Sequence, residues 1–303
     1  LVTSILNESI LRDIADAGNG TYVLAETNIS PSNLDALTSG EWYLNVHTTA
    51  NPNGEVRGQI VPDTTAVVTF SLSGSQEVPA VDTMAMGSGY ALFDTTNNNV
   101  SLVAVTTIEN ATMAHIHTGF AGENGDVLVG LVESESTAGV WMTDGSIALD
   151  EATATQLLAG GHYVNVHTAA NTGGEIRGQI TPDNIEVYGI IANGLQEVPA
   201  VTTTASGAGA FTLNTSTGAL SGSVTITGMT ANMAHIHEGE MGVNGDVLIG
   251  LTAGTSGMWS VPANTTLTAE QMNVMADGGL YTNFHSDAFP SGEIRGQITL
   301  GFD

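Results

Sequence analysis

The chain has 303 residues, with 31 Asp and Glu against four Arg and no Lys, a formal net charge of −27. Repulsion on that scale keeps a protein soluble and opposes binding to nucleic-acid phosphates or an anionic membrane surface, so neither is an expected partner. Hydrophobic residues reach 42% and charged residues only 12%, which excludes the composition of a disordered chain, and the absence of Cys excludes disulfides, thiolate metal sites and cysteine nucleophiles.

No segment approaches the roughly 18 unbroken apolar residues of a membrane span. A start at Leu1 instead of Met fits a processed export product or an excised fragment. Residues 1–24 carry apolar Leu1, Val2, Ile5, Leu6, Ile10, Leu11 and Ile14. SPSNLDALTSG (30–40) then reads as a short helix, opened by Ser and closed by Gly. Next come runs rich in Val, Ile and Thr, punctuated by Gly, Asn and Pro: AVVTFSLSG, GYALFDTT, NVSLVAVTTI, VLVGLV, YVNVHT and EIRGQI. These read as strands. Two further short helices are predicted in LDEATATQLLAGG (149–161) and TAEQMNVMADGG (268–279).

The pattern repeats. YLNVHTTANPNGEVRGQIVPD at 43–63 returns at 163–183 and 281–301, spacings of 120 and 118 residues. QEVPAV occurs at 76–81 and 196–201, and MAHIH opens the related runs 113–131 and 233–251. A period near 118 residues is long enough for each repeat to bury its own core. The expected organisation is a partial unit at 1–62, holding only a second half, and complete units at 66–182 and 185–300. The expected class is all-β: tandem antiparallel β-sandwich or Greek-key barrel domains of roughly eight strands, each with one short helix. Linkers at 61–64 and 181–184 are short enough to connect neighbours stiffly.

The QEVP start, the A-H-I-H-x-G-x-x-G-x-N-G-x-V run and the N-[VF]-H strand before G-E-[IV]-R-G-Q-I resemble the CHRD domain, the module named after chordin. The resemblance covers nearly all of 66–300 and the second half of the pattern in 40–62. It implies an extracellular or cell-surface β-domain occurring in tandem. The H-x-H strand is also similar, over a few residues, to that of copper/zinc superoxide dismutase, another β-sandwich.

In a strand, residues two apart share a face, so Met113, His115 and His117 point one way while Ala114 and Ile116 face the core. His167 follows 50 residues after His117; Met233, His235, His237 and His285 repeat the set, with a spacing of 48. Three imidazoles from neighbouring strands suit copper, with zinc second, and a nearby thioether tilts the choice toward copper. The plainer alternative is a set of solvated histidines on an outer sheet face. His47 holds the third-ligand position of a unit whose H-x-H strand is missing, a half-site at most. His162, aligned with Trp42 and Leu280, reads as a tolerated surface residue.

Glu55–Arg57, Glu175–Arg177 and Glu293–Arg295 read as fold-stabilising ion pairs, and Asn124-Gly125-Asp126 and Asn244-Gly245-Asp246 as type I′ turns. Asp126 and Asp246 are candidate hydrogen-bond partners of the ligating histidines. No phosphate-cradling loop or nucleophile elbow is present. The functional expectation is therefore a secreted metal-binding structural protein and not an enzyme, self-associating head to tail, possible subunit of a filament. A copper redox catalyst of the dismutase kind and a metal-free scaffold or adhesin are the alternatives.

Overall fold

The computed structural model describes residues 28–301 throughout and, before them, the backbone of 2–4, 7–12, 14–18 and 21–24; Leu1, Ile5 and Leu6 lie outside the described residues. Two compact units result, residues 1–67 with 91–100 and residues 68–90 with 101–303.

In the last repeat one antiparallel sheet runs in the spatial order Val247–Gly250, Met233–Glu238, Leu280–His285, Ile294–Leu300, Ile185–Asn193, Ser206–Asn214, Leu220–Thr227, Met258–Ser260 and Thr252–Ala253. It curls into a nearly closed barrel around Phe211, Val224, Phe284, Ile294 and Ile298. The preceding repeat keeps the same order, adding Ile147–Ala148 beside Asn99–Thr106. The all-β expectation holds. The strand count exceeds eight because strands of two or three residues are too short to show alternation in sequence.

Alternation explains which side chains reach the site. In Leu280–His285, Leu280, Thr282 and Phe284 point into the barrel, while Tyr281, Asn283 and His285 point outward, yet all six are buried. The outer face of these strands is thus covered by loops, and the picture of histidines on a solvated face is incorrect. The helices sit where expected. Glu151–Leu158 is capped by Asp150, Ala269–Ala276 by a capping box of Thr268 and Gln271, and Pro31–Thr38 by Ser30 with Pro at its start.

The first repeat forms a four-stranded sheet in the order Asn7–Arg12, Val2–Ser4, Trp42–Val46, Val56–Ile60. Val2 pairs with Leu44, Thr3 with Tyr43 and Ser4 with Trp42. In the second repeat the matching partners are Ile116 with Val164, His117 with Tyr163 and Thr118 with His162. The amino-terminal hairpin therefore takes the place of the H-x-H strand.

The second and third repeats meet within one unit. The Ala121 amide donates to Thr212 Oγ1 (3.4 Å) and the Ser223 hydroxyl to the Gly122 carbonyl (3.0 Å). A Cβ on Gly122 would fall 2.6 Å from the Ser223 carbonyl oxygen, so the close backbone approach requires glycine.

Candidate metal centre

Antiparallel pairing brings the three histidines of each complete repeat together. Met113 stands opposite His167 and His115 opposite Asn165, and the third repeat reproduces this with Met233–His285 and His235–Asn283. One ring nitrogen from each of His115, His117 and His167 lies within 4.8 Å of the others, as in His235, His237 and His285. His115 Nδ1 and His167 Nε2 are 3.1 Å apart, and so are their counterparts in the third repeat. Two nitrogens bound tetrahedrally to one ion at about 2.0–2.1 Å are separated by about 3.3 Å, so the spacing suits shared coordination.

The surroundings fix how the rings present themselves. His117 Nδ1–H donates to the Gly125 carbonyl (3.0 Å) and His167 Nδ1–H to the Thr172 carbonyl (3.1 Å). A carbonyl only accepts, so both rings carry the proton on Nδ1 and turn Nε2 inward as a lone-pair donor. His117 Nε2 and His237 Nε2 are buried with no hydrogen-bond partner. Burial holds His115, His117 and His167 below the usual imidazole range, which favours the neutral, ligating form. His237 and His285 behave alike for the same reason.

Behind the ligands is a layer that the sequence reading did not assign. Tyr163 stacks on His117 with ring centroids 5.0 Å apart, and its hydroxyl accepts the Gly125 N–H at 3.2 Å. The Arg177 guanidinium lies 3.5 Å from the centroid of the Tyr163 ring. Arg177, 1% exposed, also donates to the carbonyls of Glu123 (2.7 Å) and Phe120 (2.9 Å) and to Gln179 Oε1 (2.8 Å). It thereby ties down the loop that carries Gly125. Tyr281 and Arg295 repeat the stack. The invariance of Y-x-N-[VF]-H and E-[IV]-R-G-Q across the three repeats was the available signal for this layer.

Two expectations about this loop change. The Glu–Arg ion pair is not formed: Glu175 accepts from Thr168 Oγ1 (2.6 Å) and Thr83 Oγ1 (2.9 Å), while Arg177 turns to carbonyls. Glu293 likewise accepts from Ser286 and Thr203. Asn124-Gly125-Asp126 is not a type I′ turn either, because Asn124 and Gly125 lack positive φ; the positive values fall on Gly119 and Gly122. Gly125 is required for another reason, since a Cβ there would sit 1.7 Å from the Thr118 carbonyl oxygen. The partner of His117 is thus the Gly125 backbone, not the Asp126 carboxylate.

Met113 and Met233 occupy the exposed end of the ligand face, 47% and 49% accessible. His47 is exposed, and its Nδ1–H donates to the Pro52 carbonyl at 3.0 Å as His167 does to Thr172. Among the described residues it joins no group of three ligands. Thr3 stands in its sheet where His117 stands in the next repeat. His162 is not a surface residue: it is fully buried, because its strand is covered on both faces.

The CHRD domain family matches residues 5–60, 68–180 and 188–298. None of the curated proteins compared matches the chain. The CHRD domain is typically extracellular, and among the described residues no helix is long and apolar enough to cross a membrane. Three tandem matches across most of the sequence, two of them folded as the same barrel, show that this chain belongs to the CHRD domain family.

Proposed function

We propose that the chain is an extracellular structural protein whose two complete repeats each hold one copper ion, at His115, His117 and His167 and at His235, His237 and His285. The observation that carries this reading is the pair of three-histidine clusters in which His117 and His167, and likewise His237 and His285, are anchored through Nδ1 on backbone carbonyls, with Nε2 of His117 and His237 left unpartnered. Three neutral imidazoles also suit zinc; the methionine beside each cluster favours copper. A binding role is preferred to redox catalysis because a net charge of −27 repels an anionic substrate such as superoxide. Self-association head to tail, building a filament with regularly spaced metal, is the assembly that the tandem array of like modules supports.

The test is metal analysis with electron paramagnetic resonance on untagged protein loaded with Cu(I) or Cu(II), in competition with zinc. Two ions per chain are expected, falling to one in His115→Ala/His117→Ala. Binding no greater than that of a His-poor acidic control would overturn the metal reading. Sedimentation of the metal-loaded chain tests the filament separately.

A further inference from the structure

The loop 119–126 joins the strands Met113–Thr118 and Val127–Gly130 and faces two ways. Toward its own repeat, the Gly125 carbonyl accepts from His117 Nδ1–H, the Tyr163 hydroxyl accepts the Gly125 N–H, and the Phe120 and Glu123 carbonyls accept from Arg177. Gln179 Nε2 adds a bond to the Gly119 carbonyl at 2.9 Å. Toward the third repeat, the tip is set against two strands of the next barrel. The Ala121 N–H reaches Thr212 on Ser206–Asn214, the Gly122 carbonyl receives Ser223 on Leu220–Thr227, and a Cβ on Gly222 would lie 3.0 Å from the Ala121 carbonyl oxygen. Ala121 is 1% exposed there, whereas Met241, at the same place in the third repeat, is 76% exposed and supplies an internal control. One short segment of backbone therefore both aims a histidine and forms the contact between repeats.

We propose that metal at His115, His117 and His167 tightens the junction between the second and third repeats, and that the junction in turn raises the metal affinity of that cluster alone. His117 Nε2 is buried without a hydrogen-bond partner, which costs free energy that opening of the loop would recover by admitting water. An ion shared with His115 and His167 satisfies that nitrogen while the loop is closed, so it binds the closed loop more tightly than the open one. The closed loop is also the form that fits Thr212 and Ser223. Two events that favour one loop conformation share a single coupling free energy, which makes the effect reciprocal. The coupling rests on the copper reading and assigns the ion a role, stiffening the array across a module boundary.

The experiment uses the full chain with His235→Ala/His237→Ala, so that only the second repeat's cluster takes up Cu(II), and its complement with His115→Ala/His117→Ala. Each background also receives Thr212→Val/Ser223→Ala, which removes both side-chain bonds of the junction and lies on no ligand strand. Metal analysis reads stoichiometry, competition titration reads affinity, and hydrogen exchange reads the junction strands. In the first background, Cu(II) is expected to slow exchange in Ser206–Asn214 and Leu220–Thr227, and the junction substitutions to weaken copper binding by about fivefold or more. In the complement the same substitutions should leave the affinity unchanged, which also shows that the third barrel remains folded. One copper per chain with equal affinity with and without the junction bonds, or with unaltered exchange on loading, overturns the coupling and leaves the copper reading intact. Equal losses of affinity in both backgrounds overturn it as well, by marking a general destabilisation. No copper bound in either background overturns both.

Discussion

His162 has 0% exposure and both ring nitrogens unbonded, an arrangement with a direct energetic cost. Burial drives its pKa down to about 4, so the ring is neutral near neutral pH and is forced to charge as the solution turns acidic. Leu280 fills the same place in the third repeat and is equally buried. His162→Leu is therefore expected to stabilise the protein by about 1–3 kcal/mol, measured by urea unfolding at pH 7. The gain should grow as pH falls from 6.5 toward 4, because a depressed histidine loses its native-state contribution over that window; a constant or shrinking gain would contradict the burial argument. Arg177 carries the opposite expectation. Its two hydrogen bonds to the Glu123 and Phe120 carbonyls hold the loop that aims His117, so Arg177→Ala should cost roughly 2–4 kcal/mol and weaken metal binding in the second repeat while the third stays loaded. The histidine triads were legible from sequence because strand alternation and a repeated H-x-H fix three imidazoles on one face. The direction of Arg177 was not, since an Arg two residues from a Glu gives no sign that carbonyls from a loop more than fifty residues away will capture it.

At the level of the element, the covering loops and the Q-E-V-P segment turn an outer sheet face into an interior. Glu77 and Glu197 follow the first strand of each barrel and are each 7% exposed; each accepts a long hydrogen bond from Asn165 or Asn283 on one oxygen and leaves the other without a partner. Burial pushes both carboxyls up to about 7, despite Arg177 and Arg295 nearby. The folded protein thus retains protons that the unfolded chain releases near pH 4.5. The resulting stabilisation is fully present below about pH 4.5 and is lost as pH rises through about 7. Glu77→Gln/Glu197→Gln removes the titration, so its melting temperature relative to the parent should rise between pH 5 and pH 8; parallel curves for the two proteins would refute the assignment. Strands and helices were readable from composition, caps and alternation. The loop at Asn124-Gly125-Asp126 was misread because the Asn-Gly signature describes a local turn. Here glycine instead serves a non-bonded approach to Thr118, which no short-range pattern encodes.

The whole molecule depends on how like modules join, and the seam between the second and third repeats makes that testable. Gly122 and Gly242 hold equivalent places with nearly the same left-handed φ, 81° and 78°. Around Gly122 the backbone of the following repeat closes in, with Ala210 N 2.7 Å from a hypothetical Cβ, whereas among the described residues nothing lies within 4 Å of one on Gly242. Replacing Gly242 by Ala should therefore cost only the left-handed penalty of about 1–2 kcal/mol. Gly122→Ala adds to that penalty a collision with backbone atoms that cannot move aside, and it strains the Ala121–Thr212 and Ser223–Gly122 hydrogen bonds together. Amide exchange along Ser206–Asn214 and Leu220–Thr227 should accelerate in Gly122→Ala and remain unchanged in Gly242→Ala. Matched exchange in the two variants would mean that the seam adds no rigidity. Loss of protection confined to Gly122→Ala would instead locate the stiffness of this seam in the loop tip of the second repeat, the tip that Arg177 anchors beneath the His115, His117 and His167 cluster.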